Sequence, residues 1–222
     1  MHSSDFGKDF LWGVATAAAQ IEGAANSYGK GPSIWDTFAK RTGKTKKGHN
    51  PSEACDFYHH YQEDIALVKT LGFKVFRFSI AWARIFPLGR GQINQDGIRF
   101  YHNVIDECLK LDLIPMVTLY HWDLPEALAK EGGWTAFGIN AWFNEYVAFC
   151  AKEYGNKVKH WVVINEPFGF TSLGYMLGVH APGQTGVHNF FDAALHTAIA
   201  QAEGAKILRA EVKNAIIGTA FS

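Results

Sequence analysis

Short, continuous apolar runs alternate along this chain with longer amphipathic ones. The short runs lie at residues 10–17 (FLWGVATA), 74–80 (KVFRFSI), 114–120 (IPMVTLY), 160–166 (HWVVINE) and 214–220 (NAIIGTA). Their Val, Ile, Phe and Thr content predicts strands. Continuous apolarity, in place of strict alternation, predicts parallel strands covered on both faces. The longer runs predict helices. Residues 52–72 keep Phe57, Tyr61, Ile65, Val68 and Leu71 at helical spacing, with Ser52 expected as N-cap and Gly72 as C-cap. A second helix opens at Asn94, a third ends at Gly155, and a fourth starts at Asn189 and continues through an interior Gly204.

Strand and helix in strict alternation give a parallel sheet with right-handed crossovers. A doubly wound sheet and a (β/α)8 barrel share that signature. The polar residues separate them. Gln20 lies just past the first run, Arg77 and Ser79 lie on the second, His121 follows the third, and Glu166 ends the fourth. These are C-terminal strand ends, where (β/α)8 barrels build their active sites. A nucleotide-binding sheet would carry a glycine-rich turn after its first strand, and ATAAAQIEG is neither G-x-G-x-x-G nor a P-loop. The expectation is therefore an α/β fold, about five βα units of a (β/α)8 TIM barrel, with residues 1–222 as one domain.

Composition narrows the function classes. The formal charge is zero at pH 7 and hydrophobic residues make up 48%, so the chain is expected to build a sizeable core. No net charge draws it to nucleic acid or an anionic membrane. The basic run KRTGKTKK, Lys40 to Lys47, reads as a solvated loop, with nucleic-acid binding a distant second reading. No apolar run is long enough to span a bilayer, and no secretory signal is expected in MHSSDFGKDF. Cys55, Cys108 and Cys150 are odd in number and far apart, which fits buried, reduced thiols in a cytoplasmic protein.

Candidate chemistry centres on Glu166. A carboxyl partly withdrawn from water keeps its proton to higher pH, as a general acid must. Glycosidic bonds break when such an acid protonates the leaving oxygen while a second carboxylate works on the opposite side. Taken alone, Glu166 fits a simple strand-end cap equally well. Its neighbours favour chemistry. Asn165 can donate to a sugar hydroxyl, as can His121; Trp122 suits a stacking or wall residue, and Asp123 suits a loop cap. Gln20 offers a donor and an acceptor for vicinal hydroxyls. Arg77 on an apolar strand calls for a carboxylate partner, catalytic or structural. The adjacent His59 and His60 point to different helix faces, a poor metal geometry.

The stretches FLWGVATAAAQIEGA, GPSIWDTF, DFYHHYQEDIALVKTLGFKVFRFSIAWARIFP, LIPMVTLYHWDLPEAL, GGW, VKHWVVINEPF and GYMLGVHAPG closely resemble glycoside hydrolase family 1, the β-glucosidase family. The resemblance implies a (β/α)8 barrel and retaining hydrolysis of β-glucosides, β-galactosides or related compounds, without metal or cofactor. It implies that Glu166, in N-E-P, is the general acid/base. Gln20, His121, Trp122 and Asn165 fall at glycone-binding positions, and Arg77 falls where an arginine supports the nucleophile. Val163 stands where the family usually has threonine, which implies a hydroxyl lost near the site. Phe168 and Gly169 bear on the leaving-group side. The family's nucleophile, a glutamate in a T-E-N-G-like motif, has no counterpart in this sequence. The expectations that follow are an isolated chain with little or no hydrolysis, open edges on the first and fifth strands, and a second chain or second copy completing the barrel. A half barrel that binds sugars weakly, or assembles with itself, is the alternative.

Overall fold

The computed structural model describes residues 5–221. Five parallel strands form one sheet: β1 (Gly13–Ala15), β2 (Val75–Ser79), β3 (Ile114–Tyr120), β4 (His160–Asn165) and β5 (Ile216–Ala220). Their spatial order is the chain order, β1-β2-β3-β4-β5. A doubly wound sheet reverses its strand order at a switch point; a barrel never does. The sheet therefore has the winding of a barrel arc.

Helices α1 (Ala18–Ile21), α2 (Ile34–Phe38), α3 (Phe57–Thr70), α4 (Trp82–Ile85), α5 (Gln95–Lys110), α6 (Glu126–Lys130), α7 (Ile139–Tyr154), α8 (Pro167–Thr171) and α9 (Val187–Glu211) occupy the connections. Asn94 caps α5 by accepting from the Asp96 amide at 3.2 Å. At the end of α3, Gly72 adopts a φ of 82°, the left-handed conformation that lets a helix close on glycine. Gly204 has a packing reason. A Cβ there would stand 2.8 Å from Cγ1 of Val163, so α9 reaches β4 only because that atom is missing. The same contact corrects the expectation for Val163. Its side chain is buried against α9, and the residue is a packing position.

Two boundaries differ from the pattern. Of residues 10–17 only Gly13–Ala15 form strand pairs with β2, while Phe10, Leu11 and Trp12 are exposed and the Phe10 and Trp12 rings cluster with Phe6. Residues 52–55 do not join α3. The Glu53 carbonyl seats against Gly23, where a Cβ would lie 2.2 Å away, and Asp56 takes a left-handed φ of 54° ahead of the first helical turn. Of the cysteines, Cys108 and Cys150 are buried free thiols, and burial pushes Cys108 up to about 12; Cys55 is exposed, contrary to expectation.

The core lies between the sheet and α3, α5, α7 and α9. Trp82, Trp134, Trp161, Tyr120, Tyr146 and Phe143 are all buried there. Trp82 stacks on Tyr146 with centroids 4.9 Å apart. Among the described residues, no helix is long and apolar enough to cross a membrane.

Candidate active site

The C-terminal strand ends carry a connected set of side chains. Arg77, on β2, donates from Nε to Thr118 Oγ1 on β3 at 2.8 Å and from a terminal nitrogen to Asn165 Oδ1 on β4 at 2.6 Å. Those bonds fix the Asn165 amide, so its Nδ2 faces Nε2 of His121 at 3.1 Å. An amide nitrogen donates only, so His121 Nε2 is the acceptor. Burial, with the Arg77 charge adding to it, lowers His121 to about 4 and keeps the ring neutral at physiological pH. Its remaining hydrogen is then on Nδ1, which is buried and has no protein partner. Three residues on three strands thus decide which nitrogen of His121 is free to donate.

Trp122 joins the set from the same loop. Its indole Nε1 donates to the Asn165 carbonyl at 2.8 Å. The backbone is strained here: Trp122 has φ 73° and Glu166 has φ 46°, a left-handed conformation that costs a non-glycine residue about 1–3 kcal/mol. β4 ends at this left-handed turn, and the Glu166 amide makes its last bond to the sheet, donating to Ala220 O on β5 at 2.8 Å. Proline at the next position starts α8. Gly169, one turn into α8, keeps the space between Glu166 and Trp122 open. A Cβ there would lie 3.1 Å from the Trp122 ring and 3.4 Å from a Glu166 carboxylate oxygen. Burial lowers Arg77, and the Glu166 charge opposes that shift.

A cavity of about 450 Å³ opens beside this network. Gln20, His121 and Trp122 line it, with Trp35, His180, Thr45, His49 and Asn50. Gln20 is exposed, and its amide has no hydrogen-bond partner among the described residues. Arg77, Asn165 and Glu166 are not among the walls: the first two stand behind His121, and Glu166 lies across Trp122. Trp35 and His180 were not singled out from sequence, although both sit inside the motifs GPSIWDTF and GYMLGVHAPG. Their rings pack 5.6 Å apart, and His180 is 5.7 Å from Trp122. Thr118 was missed too; nothing in an apolar strand marks it as an arginine's acceptor.

Asp123 keeps a local bond in the loop, its carboxylate accepting from its own backbone amide. It is 2% exposed, and burial, reinforced by Glu22, raises it to about 7. Behind it Glu22 accepts from Arg84 Nε at 2.9 Å and from the Tyr101 hydroxyl at 2.6 Å. Arg84 is fully buried and also donates to the Gly23 carbonyl at 3.2 Å. This cluster, with the bond from the Ala18 amide to Ser79 Oγ at 2.7 Å, fastens α1, and hence Gln20, to the sheet.

Comparison with known proteins gives these features a family. Residues 2–222 match the model of glycosyl hydrolase family 1. β-Glucosidase A of Thermotoga maritima is 43% identical over 222 residues, which is all of this chain and 50% of that protein. The aryl-phospho-β-D-glucosidase BglC of Bacillus subtilis is 44% identical over 222 residues, all of this chain and 46% of that protein. A solved structure of β-glucosidase from Thermotoga maritima in complex with glucoimidazole superposes with a TM-score of 0.95 at 44% identity, covering 96% of this chain and 49% of that one. The chain thus spans about half the length of the relatives it matches, and its sheet corresponds to the N-terminal half of their barrel.

Proposed function

Because this chain belongs to glycosyl hydrolase family 1, we propose that it supplies the N-terminal portion of a retaining β-glycosidase acting on terminal β-linked glucosides or related glycosides. Glu166 is the general acid/base in this reading. It protonates the glycosidic oxygen as the bond to the leaving group breaks, then accepts a proton from the water that releases the sugar. Gln20 and His121, which line the cavity, meet sugar hydroxyls, Trp122 forms a wall, and Asn165 serves the sugar side by fixing the His121 ring. Arg77 holds Asn165. The observation that carries the reading is the hydrogen-bonded path Thr118–Arg77–Asn165–His121, which brings the candidates from three strands together beside Glu166. The names of the relatives support the substrate class.

Retention requires a second carboxyl roughly 5–5.5 Å from the first. No wall residue of the cavity is Asp or Glu. We assign the nucleophile to the length of the relatives that this chain does not span. Hydrolysis of 4-nitrophenyl β-D-glucopyranoside by the purified chain tests the assignment. Little or no turnover is expected; turnover abolished by Glu166→Gln would mean a second carboxylate is available after all.

A second reading has its own support. Phe10, Leu11 and Trp12 beside β1 are 47%, 48% and 41% exposed, and Ile216 and Phe221 at β5 are 59% and 77% exposed. Apolar edge strands pair readily. Of the two alternatives, a half barrel that binds sugars weakly or one that assembles with itself, the second would use these edges. A monomeric mass in solution would exclude it.

A further inference from the structure

We propose that the loop at residues 40–50 is a cationic rim that favours glycosides bearing an anionic group on the aglycone. The proposal rests on reading the cavity as a glycoside site and concerns its outer wall. The loop holds Lys40, Arg41, Lys44, Lys46 and Lys47 and contains no Asp or Glu. All five are exposed. The same loop contributes Thr45, His49 and Asn50 to the cavity that Gln20, His121 and Trp122 line. The charges therefore sit on the segment that supplies one wall of the candidate site, with Lys40 and Arg41 on its outer side lining an adjoining hollow.

The loop is held in place. Arg41 donates to the Pro182 carbonyl at 3.0 Å and Lys44 to the Gly178 carbonyl at 3.4 Å, and both cations lie over the Phe38 ring. These bonds tie it to the segment carrying His180, another wall residue. Carbonyl and ring contacts do not neutralise a cation, and among the described residues the side chains of Lys40, Lys46 and Lys47 have no ion pair or hydrogen bond. The nearby acid Asp36 is already engaged by Lys30 at 3.1 Å and by Ser33. Glu126 shares a neighbouring hollow with both Arg41 and Lys130. A positive excess remains, and a cleft with apolar walls concentrates its field. Thr45 Oγ1, buried on the same wall and unpartnered, adds a neutral donor.

The anion belongs beyond the sugar. Among the described residues no cation around Gln20, His121 and Trp122 is free: His121 is neutral, and Arg77 is committed to Thr118 and Asn165. A carboxylate, sulfate or phosphate on the leaving group would reach the rim instead.

Isothermal titration of the chain with three ligands tests this: 4-nitrophenyl β-D-glucopyranoside, its 3-carboxy derivative, and its sugar 6-phosphate. Titrations run at about 20 mM and about 500 mM NaCl, where screening is weak and strong. The carboxylated aglycone is expected to bind roughly three- to tenfold tighter than the neutral one at low salt, with most of that gain lost at high salt. Joint Lys46→Ser and Lys47→Ser substitution should remove much of the gain and leave the neutral glycoside's affinity unchanged. Equal affinity for carboxylated and neutral ligands at low salt overturns the proposal and leaves the glycoside site standing. A larger gain for the 6-phosphate places the anion on the sugar and also overturns it. No binding of any ligand removes the glycoside reading and this proposal with it.

Discussion

The centre of the sheet and its two edges are built differently. Val75, Phe76, Phe78 and Ser79 of β2 are buried, as are Trp161 to Asn165 of β4, whereas β1 is exposed at Gly13 and Ala15 and β5 is exposed at Ile216 and Gly218. The site divides along the same line. On the central strands Arg77, Thr118, Asn165, His121 and Trp122 hold each other in place. Past the edge strand β1, Gln20 points into the cavity with its amide unbonded. The centre is pre-organised by protein contacts; at the edge, the backbone is anchored and the side chain waits for a ligand. Such a division suits a hydroxyl-binding site, because groups already satisfied by protein cannot also satisfy a sugar without loss.

The largest effect expected from this difference lies in the anchor under Gln20. Glu22→Ala leaves Arg84 buried without its carboxylate, and breaking such a pair costs roughly 3–5 kcal/mol. Urea unfolding of the variant measures it; a loss below about 1 kcal/mol would mean the cluster is dispensable.

Core truncations come next. Ile164→Ala, at a residue with no exposed surface, should cost roughly 2–5 kcal/mol. Ile216→Ala, at 59% exposure on β5, should cost less than about 1 kcal/mol. Equal losses would show that β5 is covered in solution, as the second reading requires.

A smaller effect is pH-dependent, with two opposite contributions. His121 is lowered from 6.5 to about 4, so the unfolded chain binds the extra proton between those values. Stability from this residue is complete above pH 6.5 and falls as pH drops through that window. Asp123 is raised from 3.8 to about 7, so here the folded chain holds the extra proton. Its contribution is complete below pH 3.8 and is lost as pH rises towards 7. Asp123→Asn removes the second contribution alone. The variant should be more stable than the parent at pH 8, by on the order of 1–3 kcal/mol, and should lose stability more steeply on acidification. Identical pH profiles would contradict the burial assigned to Asp123.

Much of the fold was readable because its strands are short apolar runs between amphipathic helices. The runs at 74–80, 114–120, 160–166 and 214–220 correspond to β2 through β5. The first run was overextended because Phe10, Leu11 and Trp12 look like a buried strand but are exposed, the two rings packing on each other in the open. The start of α3 was misplaced because Ser52 resembles a cap, while the long-range seat of Glu53 on Gly23 decides the matter. At the site, polar residues ending apolar strands marked Gln20, Arg77, His121 and Glu166. What no local pattern carries is pairing across strands: Arg77 meets Asn165 over 88 positions of chain, and Thr118 and His180 acquire their places only through the fold. The burial of Asp123 and the Glu22 charge beside it are likewise absent from the loop sequence.

The most direct test of a pre-organised sugar site is calorimetric titration of this chain with glucoimidazole, alongside His121→Ala and Gln20→Ala. Measurable binding is expected for the parent, weakened roughly tenfold or more in each variant, since each loses a hydrogen bond to the sugar worth about 1 kcal/mol or more. Gln20→Ala should leave folding stability unchanged. Binding that is absent in the parent, or equally strong in all three proteins, would contradict the assignment of Gln20 and His121 as sugar-binding residues.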